Sequence, residues 1–249
     1  MSLSAAPVFD HATLLEGYLL YAVGDIHGRL DLLEAILGKI EADARKSKPT
    51  ERRTLVFLGD YVDRGPDSRG VVRRLIGGLP PCFEAHFLKG NHEAILLNFL
   101  DDAWSLENWL QNGGEETMRS YGVDTARLAR LGAPAELWSQ SLRELMPETH
   151  LCFFNSLQLS VSFGDYLFVH AGVKPGVPLA AQSEADLIWI RGPFLESIEP
   201  FGKIVVHGHT PGKEPVTRAN RIGIDTGACF TGRLTALRLE GGSREFLQT

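Results

Sequence analysis

Five short segments of the sequence carry acidic, amide and imidazole side chains directly after apolar runs. They are GDIHG (24–28), GDYVDRG (59–65), GNHE (90–93), HAG (170–172) and HGHT (207–210). The donors that these segments supply are Asp25, His27, Asp60, Asn91, His170 and His209. Oxygen and imidazole donors without a thiolate suit Mn, Fe or Zn better than they suit a cysteine-rich structural zinc site. The segments therefore predict a metal site.

The number and spacing of these donors indicate two ions. Asp25 and His27 are two residues apart, and alternate side chains of extended backbone project to the same side. Six donors are too many for one tetrahedral ion but suffice for two ions if one carboxylate bridges them. Two divalent cations against Asp25 and Asp60 leave a charge of about +2, which matches a phosphate dianion.

Each segment taken alone has a simpler explanation. A Gly-Asp or Asn-His pair in a turn usually reflects turn formation, because Asp and Asn hydrogen-bond their own backbone. Similarly, His170 alone would be typical of a buried core histidine, and HGH of a glycine-containing loop. The occurrence of all five segments after apolar runs favours a single site over five separate turns.

The elements that position these segments predict an α/β fold. Predicted strands at Tyr18–Val23, Thr54–Leu58 and Phe83–Leu88 alternate with helical patterns, which is typical of a parallel sheet with right-handed crossovers. The carboxyl ends of parallel strands meet at one crevice, so the segments that follow them can converge. We expect one domain over residues 1–249, with a helical insert at about 94–150 whose residues Trp104, Trp109 and Trp138 pack in the core. The remaining predicted strands are Leu157–Phe163, Tyr166–Val169, Lys203–Val206, Arg221–Ile224, Leu234–Leu239 and Ser243–Leu247, the last closing a hairpin at Gly241–Gly242.

Composition and charge exclude several classes of function. The net charge of −6 argues against a nucleic-acid partner or an anionic membrane, since a binder of either would be basic. No run of eighteen apolar residues is present, and the first residues lack the features of a signal peptide. The three cysteines, Cys82, Cys152 and Cys229, form no CxxC pair, which fits a reducing cytoplasm. We expect a cytoplasmic enzyme.

From about Gly24 to Gly227 the chain resembles the phosphoprotein phosphatase branch of the calcineurin-like metallophosphoesterases, in particular the bacterial and lambda-phage-type serine/threonine phosphatases. The resemblance implies a four-layer αββα sandwich, in which two β-sheets are flanked by helices, and a dinuclear metal centre. It assigns Asp25, His27 and Asp60 to one ion, and Asp60, Asn91, His170 and His209 to the other. His207 is expected to be a neighbour of the site, without an assigned role. Mn²⁺ is the expected activator in the test tube, with Fe or Zn as alternatives.

The same resemblance assigns the residues that act on the substrate. Asp63 is expected to orient His92, which protonates the leaving oxygen while a metal-activated water attacks phosphorus. Arg64 offers a planar fork suited to two phosphate oxygens. Arg191 resembles the second phosphate-binding arginine of the family, and Asn91 is the third residue expected to face the phosphate.

Three functions are compatible with this site. The leading hypothesis is a serine/threonine protein phosphatase acting on a phosphorylated protein or a small phosphoester. The alternative is a symmetrical bis(5'-nucleosyl)-tetraphosphatase. That branch is expected to lack an acid at the position of Asp63, whereas RGPDS resembles a stretch found in both this branch and the serine/threonine phosphatases. A non-catalytic phosphate-binding scaffold would be expected to have a broken donor set, and none of the six donors is missing.

Overall fold

The computed structural model describes residues 12–47 and 52–249. Its strands are β1 (Tyr18–Val23), β2 (Arg52–Phe57), β3 (Phe83–Phe87), β4 (Ser160–Phe163), β5 (Tyr166–Val169), β6 (Ile204–His207), β7 (Val216–Thr217), β8 (Arg221–Gly223), β9 (Thr235–Glu240) and β10 (Ser243–Gln248). Its helices are α1 (Leu30–Ala44), α2 (Ser68–Gly77), α3 (Asn91–Asp101), α4 (Leu106–Gln111), α5 (Gly114–Tyr121), α6 (Thr125–Arg130), α7 (Ala135–Leu145), α8 (Glu148–Asn155), α9 (Glu184–Trp189), α10 (Gly192–Glu196) and α11 (Ala228–Thr231).

The first sheet has the strand order β10-β9-β1-β2-β3. Its strands β1, β2 and β3 are parallel, whereas β9 runs antiparallel to both β1 and β10. Val23 lies opposite Phe57, and Phe57 lies opposite Phe87, so the three parallel strands end at the same level. The segments GDIHG, GDYVDRG and GNHE therefore emerge side by side from one edge of this sheet.

The second sheet has the order β4-β5-β6-β8-β7. Its central strands β5, β6 and β8 are parallel, with Phe168 opposite Val206 and Val206 opposite Ile222. The segments HAG and HGHT follow β5 and β6 and thus also leave from a common edge. A hydrogen bond from the Gly208 N–H to the His170 carbonyl (2.8 Å) ties these two segments together.

Three buried apolar clusters define four layers. Between the sheets, Val56 and Leu58 of the first sheet pack with Phe168 and Val206 of the second. The outer face of the first sheet packs against α1 and α2 and against the helices that follow β3. The outer face of the second sheet packs against α9 and α10, with Phe194 at the centre of that cluster. The sequence prediction of an αββα sandwich is confirmed, because each sheet buries one face against the other sheet and the other face under helices.

The structure also shows where sequence reasoning about particular elements was less accurate. The predicted strand Leu157–Phe163 begins only at Ser160, and the helices between β3 and β4 run from Asn91 to Asn155. Trp109 and Trp138 are buried as expected, but Trp104 is 85% exposed, so its assignment to the core was wrong. The residues used to judge a signal peptide lie almost entirely outside the described residues. Within residues 12–47 and 52–249, we find no helix with the length and apolar character needed to cross a membrane.

Candidate metal centre

The segment GDIHG, which follows β1, places the Asp25 carboxylate and the His27 imidazole in the buried cleft where the parallel strands of both sheets end. Asp25 Oδ2 accepts a hydrogen bond from the His209 backbone N–H at 3.0 Å, which links the two sheets. Asp25 Oδ1 is buried and has no hydrogen-bond partner among the described residues. His27 donates from Nδ1 to the Val62 carbonyl at 2.9 Å, and its Nε2 lies 3.5 Å from Asp60 Oδ2.

Asp60 lies between the two sets of candidate ligands. Its Oδ2 faces His27, while its Oδ1 lies 3.4 Å from His170 Nε2 and accepts the His92 backbone N–H at 3.1 Å. Two groups of side chains could each hold a metal ion, and they share this carboxylate. They are His27, Asp60 and His92 in one group, and Asp60, His170 and His209 in the other.

His170 and Asn91 complete the second group. His170 donates from Nδ1 to the Leu58 carbonyl at 2.9 Å, which directs Nε2 towards Asn91 Oδ1 at the same distance. The His209 ring lies against that of His170, with a centroid separation of 5.1 Å. A backbone partner on one ring nitrogen fixes the orientation of the imidazole and leaves the other nitrogen available to a metal.

The protonation states of these histidines suit metal binding, because neutral imidazole is the form that coordinates an ion. Burial lowers the pKa of both His27 and His209 to about 3. Burial also lowers the pKa of His170. In contrast, burial and the nearby carboxylates of Asp225 and Asp60 raise the pKa of Asp25 well above its usual value. A cluster of buried carboxylates with an unpartnered oxygen is electrostatically suited to a cation.

Two glycines permit the close approach that this cluster requires. A Cβ atom on Gly90 would lie 2.1 Å from Asp60 Oδ1, and one on Gly208 would lie 2.0 Å from Asp25 Oδ1. In addition, several non-glycine residues of the site have left-handed backbone: His27, Asp60, Asp63, Arg64 and His209. Such conformations cost on the order of 1–3 kcal/mol each and cluster at functional sites. The backbone at these positions therefore adopts conformations that non-glycine residues rarely adopt, and it thereby brings these side chains together.

His92 and Asp63 form a buried pair at the edge of the donor set. The His92 Nδ1 atom lies 2.7 Å from Asp63 Oδ2, and neither side chain is accessible to more than a trace of solvent. The His92 Nε2 atom points towards the centre and lies 3.9 Å from Asp60 Oδ2. Burial opposes protonation of His92, but the carboxylates of Asp60 and Asp63 outweigh it and raise the pKa of the imidazole. The pair can thus hold a proton at the edge of the site.

The helices that follow β3 hold Asp63 in place. The Trp109 indole N–H lies 3.1 Å from both carboxylate oxygens of Asp63, and the Thr117 hydroxyl donates to Oδ1 at 2.7 Å. The Asp63 backbone N–H in turn donates to Thr117 Oγ1 at 2.8 Å. Helices α4 and α5 therefore form part of the support for the Asp63–His92 pair.

The two arginines lie at opposite ends of the donor set. An Arg64 Nη atom lies 2.8 Å from His27 Nε2, in the first group of candidate ligands. Arg191 Nε lies 3.1 Å from His209 Nε2, in the second group. The structure thus brings together all of the site residues that the sequence predicted, while His207 lies apart from the two ligand groups. The His207 ring packs on Phe194 (centroids 5.0 Å apart) and, together with Asp225, lines a cavity of about 240 Å³.

Sequence reasoning missed two acids at the site. The Glu93 carboxylate is fully buried and accepts four backbone N–H groups, from Asp60, Tyr61, Val62 and Gly90. Its position three residues after Gly90, at the start of a helix, is that of a capping box, which could have identified it. Asp225 follows β8 and accepts the Gly227 N–H at 2.8 Å. The rule that located the other five segments, a polar residue directly after a strand, applies to Asp225 as well.

Comparisons with known proteins agree with this arrangement. A family model described as calcineurin-like phosphoesterase matches residues 18–233. The chain therefore belongs to the calcineurin-like phosphoesterase family, and it is a hydrolytic enzyme. This family uses divalent metal ions, which the two groups of His and Asp residues could hold.

Several known proteins are similar to this chain. The chain is 26% identical over 232 residues to the asymmetrical bis(5'-nucleosyl)-tetraphosphatase PrpE of Oceanobacillus iheyensis, covering 87% of this chain and 86% of that protein. It is also 26% identical over 235 residues to PrpE of Bacillus subtilis, covering 87% and 88%. A solved structure described as a candidate diadenosine tetraphosphatase superposes with a TM-score of 0.64 at 23% identity, covering 95% of this chain and 98% of the other. A serine/threonine phosphatase from Saccharomyces cerevisiae superposes with a TM-score of 0.56 at 16% identity, covering 94% and 80%. These two structural likenesses show a common fold.

Proposed function

We propose that the protein is a metal-dependent hydrolase of dinucleoside tetraphosphates that cleaves them asymmetrically, releasing a nucleoside monophosphate and a nucleoside triphosphate. The proposal is carried by the 26% identity, over 87% of this chain, to relatives named asymmetrical bis(5'-nucleosyl)-tetraphosphatases, together with the placement of Arg64 and Arg191 at opposite ends of the shared donor set. A planar guanidinium can bind two phosphate oxygens at once. Guanidinium groups on both sides of the reacting phosphate suit a substrate that continues as a polyphosphate chain.

The named activity of the PrpE relatives supports the same substrate class and favours asymmetrical over symmetrical cleavage. The symmetrical reaction was the alternative suggested by the sequence. The two reactions differ in which P–O–P bond of the tetraphosphate is broken, so the same residues can serve either one.

Divalent ions held by these residues would lower the pKa of water and neutralise phosphate charge. We assign Asp25, His27 and Asp60 to one ion, and Asp60, Asn91, His170 and His209 to the other. Arg64, Arg191 and Asn91 hold the phosphate oxygens and fix the direction of attack. The Asp63 carboxylate stabilises the protonated form of His92, which donates its Nε2 proton to the oxygen of the leaving group. Mn²⁺ is the expected activating ion, with Fe or Zn as alternatives.

A second candidate is hydrolysis of phosphomonoesters, including phosphoserine and phosphothreonine in proteins. The Asp63–His92 pair favours it (Nδ1 to Oδ2, 2.7 Å), because a serine alkoxide is a poor leaving group and needs a proton as it departs. A nucleotide leaving group depends much less on such help. In either case we propose a cytoplasmic enzyme, which the three free cysteines support.

A substrate panel on metal-reconstituted protein tests the proposal. We expect diadenosine tetraphosphate to yield AMP and ATP in equal amounts by ion-exchange chromatography, with turnover lost after chelation and restored by Mn²⁺. Two molecules of ADP would indicate symmetrical cleavage. Faster turnover of phosphoserine peptides than of every dinucleoside polyphosphate would overturn the proposal in favour of the second candidate.

A further inference from the structure

Each of the two arginines at the site lies near an exposed aromatic side chain. The Arg64 guanidinium carbon lies 5.7 Å from the centroid of the Phe230 ring, and Phe230 is 72% exposed. On the other side, Trp189 precedes Arg191 by two residues and is 46% exposed. The Trp189 ring meets His209 edge-on, with centroids 6.2 Å apart. At one end of the donor set an exposed ring contacts the arginine, and at the other end the exposed ring and Arg191 both contact His209.

Phe230 lies in a turn that several hydrogen bonds stabilise. It belongs to the short helix α11, which lies between Gly227 and Gly232, both in left-handed conformation. The Thr231 hydroxyl lies 2.7 Å from the Thr226 carbonyl and 3.0 Å from the Gly227 carbonyl. Arg29 donates to the Ala228 carbonyl at 3.0 Å. Such a rigid support holds an exposed phenyl ring beside the cleft without burying it.

Trp189 is held in a comparable way at the end of α9. The Ser183 hydroxyl accepts the Asp186 N–H and caps the start of this helix. The Ala171 N–H donates to the Leu187 carbonyl at 2.8 Å, which ties α9 to the HAG segment of the site. The position of the indole is therefore coupled to the position of the candidate ligand His170.

We propose that Phe230 and Trp189 are the stacking surfaces for the two nucleobases of the substrate. A base has an apolar face and stacks on an aromatic ring, while the neighbouring guanidinium binds phosphate oxygens. A ligand with a base at each end and phosphates between them fits an arrangement with an exposed ring and an arginine at each end of the donor set. This inference rests on the proposed function and names the residues that select a dinucleoside substrate over a simple phosphate.

The test compares Phe230→Leu and Trp189→Leu with the aromatic replacements Phe230→Tyr and Trp189→Phe, all on metal-reconstituted protein. Base–aromatic stacking is worth roughly 1–3 kcal/mol per base, so each leucine variant should raise KM for diadenosine tetraphosphate by about 5- to 100-fold. The aromatic replacements should keep KM within about threefold of the wild-type value. Inhibition by inorganic phosphate, which has no base, should be unchanged in all four variants.

Trp104→Leu is the matched control, because Trp104 is 85% exposed and borders a cavity that none of the site residues line. It should leave all of these constants unchanged. An unchanged KM in both leucine variants, with normal turnover of diadenosine tetraphosphate by the wild type, would overturn the stacking role alone. A wild-type protein that turns over no dinucleoside polyphosphate would instead refute the proposed function, and the phosphate inhibition data would show that the site is intact.

Discussion

Replacing Glu93 with Gln is expected to destabilise the protein strongly and to disturb the position of Asp60. Glu93 Oε1 accepts the backbone N–H groups of Tyr61 and Val62 at 2.7 and 3.3 Å. Its Oε2 accepts those of Asp60 and Gly90, both at 2.9 Å. A glutamine amide keeps one oxygen, so its NH₂ group would face two N–H donors and leave both unpaired.

The expected cost follows from this geometry. An unsatisfied buried donor costs about 1–3 kcal/mol, so two of them amount to roughly 2–6 kcal/mol. That is a large part of a typical folding free energy of about 5–15 kcal/mol. Since Glu93 binds the backbone of the turn that carries Asp60, the variant should also bind fewer metal ions per chain.

Urea denaturation of chelator-treated protein measures the first effect without the contribution of bound metal. Elemental analysis of reconstituted protein measures the second effect. Glu144→Gln is the matched control, because Glu144 lies exposed on α7, where it accepts a surface hydrogen bond from Gln140 (2.9 Å). It should change the free energy of unfolding by less than about 0.5 kcal/mol. If Glu93→Gln is as mild as this control, the four hydrogen bonds do not support the turn.

Three further predictions concern other parts of the site. Asp60→Asn should reduce the metal content below one ion per chain, whereas Asp25→Asn should retain one ion. Equal losses in the two variants, measured by elemental analysis, would contradict the claim that Asp60 is a ligand of both ions. Thr117→Val should lower kcat by roughly tenfold through loss of a hydrogen bond to a charged group, with KM and metal content unchanged, and Thr117→Ser should restore kcat. If Thr117→Ser is as slow as Thr117→Val, packing rather than the hydroxyl explains the effect. Arg64→Ala should weaken inhibition by inorganic phosphate about 10- to 100-fold at constant metal content, and unchanged inhibition would mean that Arg64 does not bind phosphate.

The strands and the segments that follow them could be predicted because their signals are local. An apolar run followed by Gly and a polar residue marks both the end of a strand and a candidate site residue, and the predicted strand Tyr166–Val169 agrees with the structure residue for residue. Register then brings distant segments together without any further information, since parallel strands that end at the same level share an edge.

The supports of the site could not be predicted in the same way. Trp109 and Thr117 contact Asp63 across 46 and 54 residues of chain, within a helical region whose periodicity predicts only that some residues are buried. Periodicity also cannot distinguish Trp104, which is exposed, from Trp109, which is buried. Aspartate tolerates left-handed backbone better than most residues but adopts it rarely, so the sequence alone does not predict it at Asp60 and Asp63, where the tertiary contacts of the turn stabilise it.

The most direct measurement of the mechanistic claim that the site carries a proton donor for the leaving oxygen, His92 held by Asp63, is the leaving-group dependence of His92→Asn. General-acid catalysis contributes roughly 10²- to 10⁴-fold, so kcat/KM for an alkyl phosphate ester should fall by about that factor. The same variant should lose much less on p-nitrophenyl phosphate, whose leaving group is already stable as an anion. Elemental analysis confirms that the metal content of the variant is unchanged. A steeper dependence on leaving-group pKa in the variant than in the wild type is the predicted result, and equal factors of loss on both substrates would contradict the account.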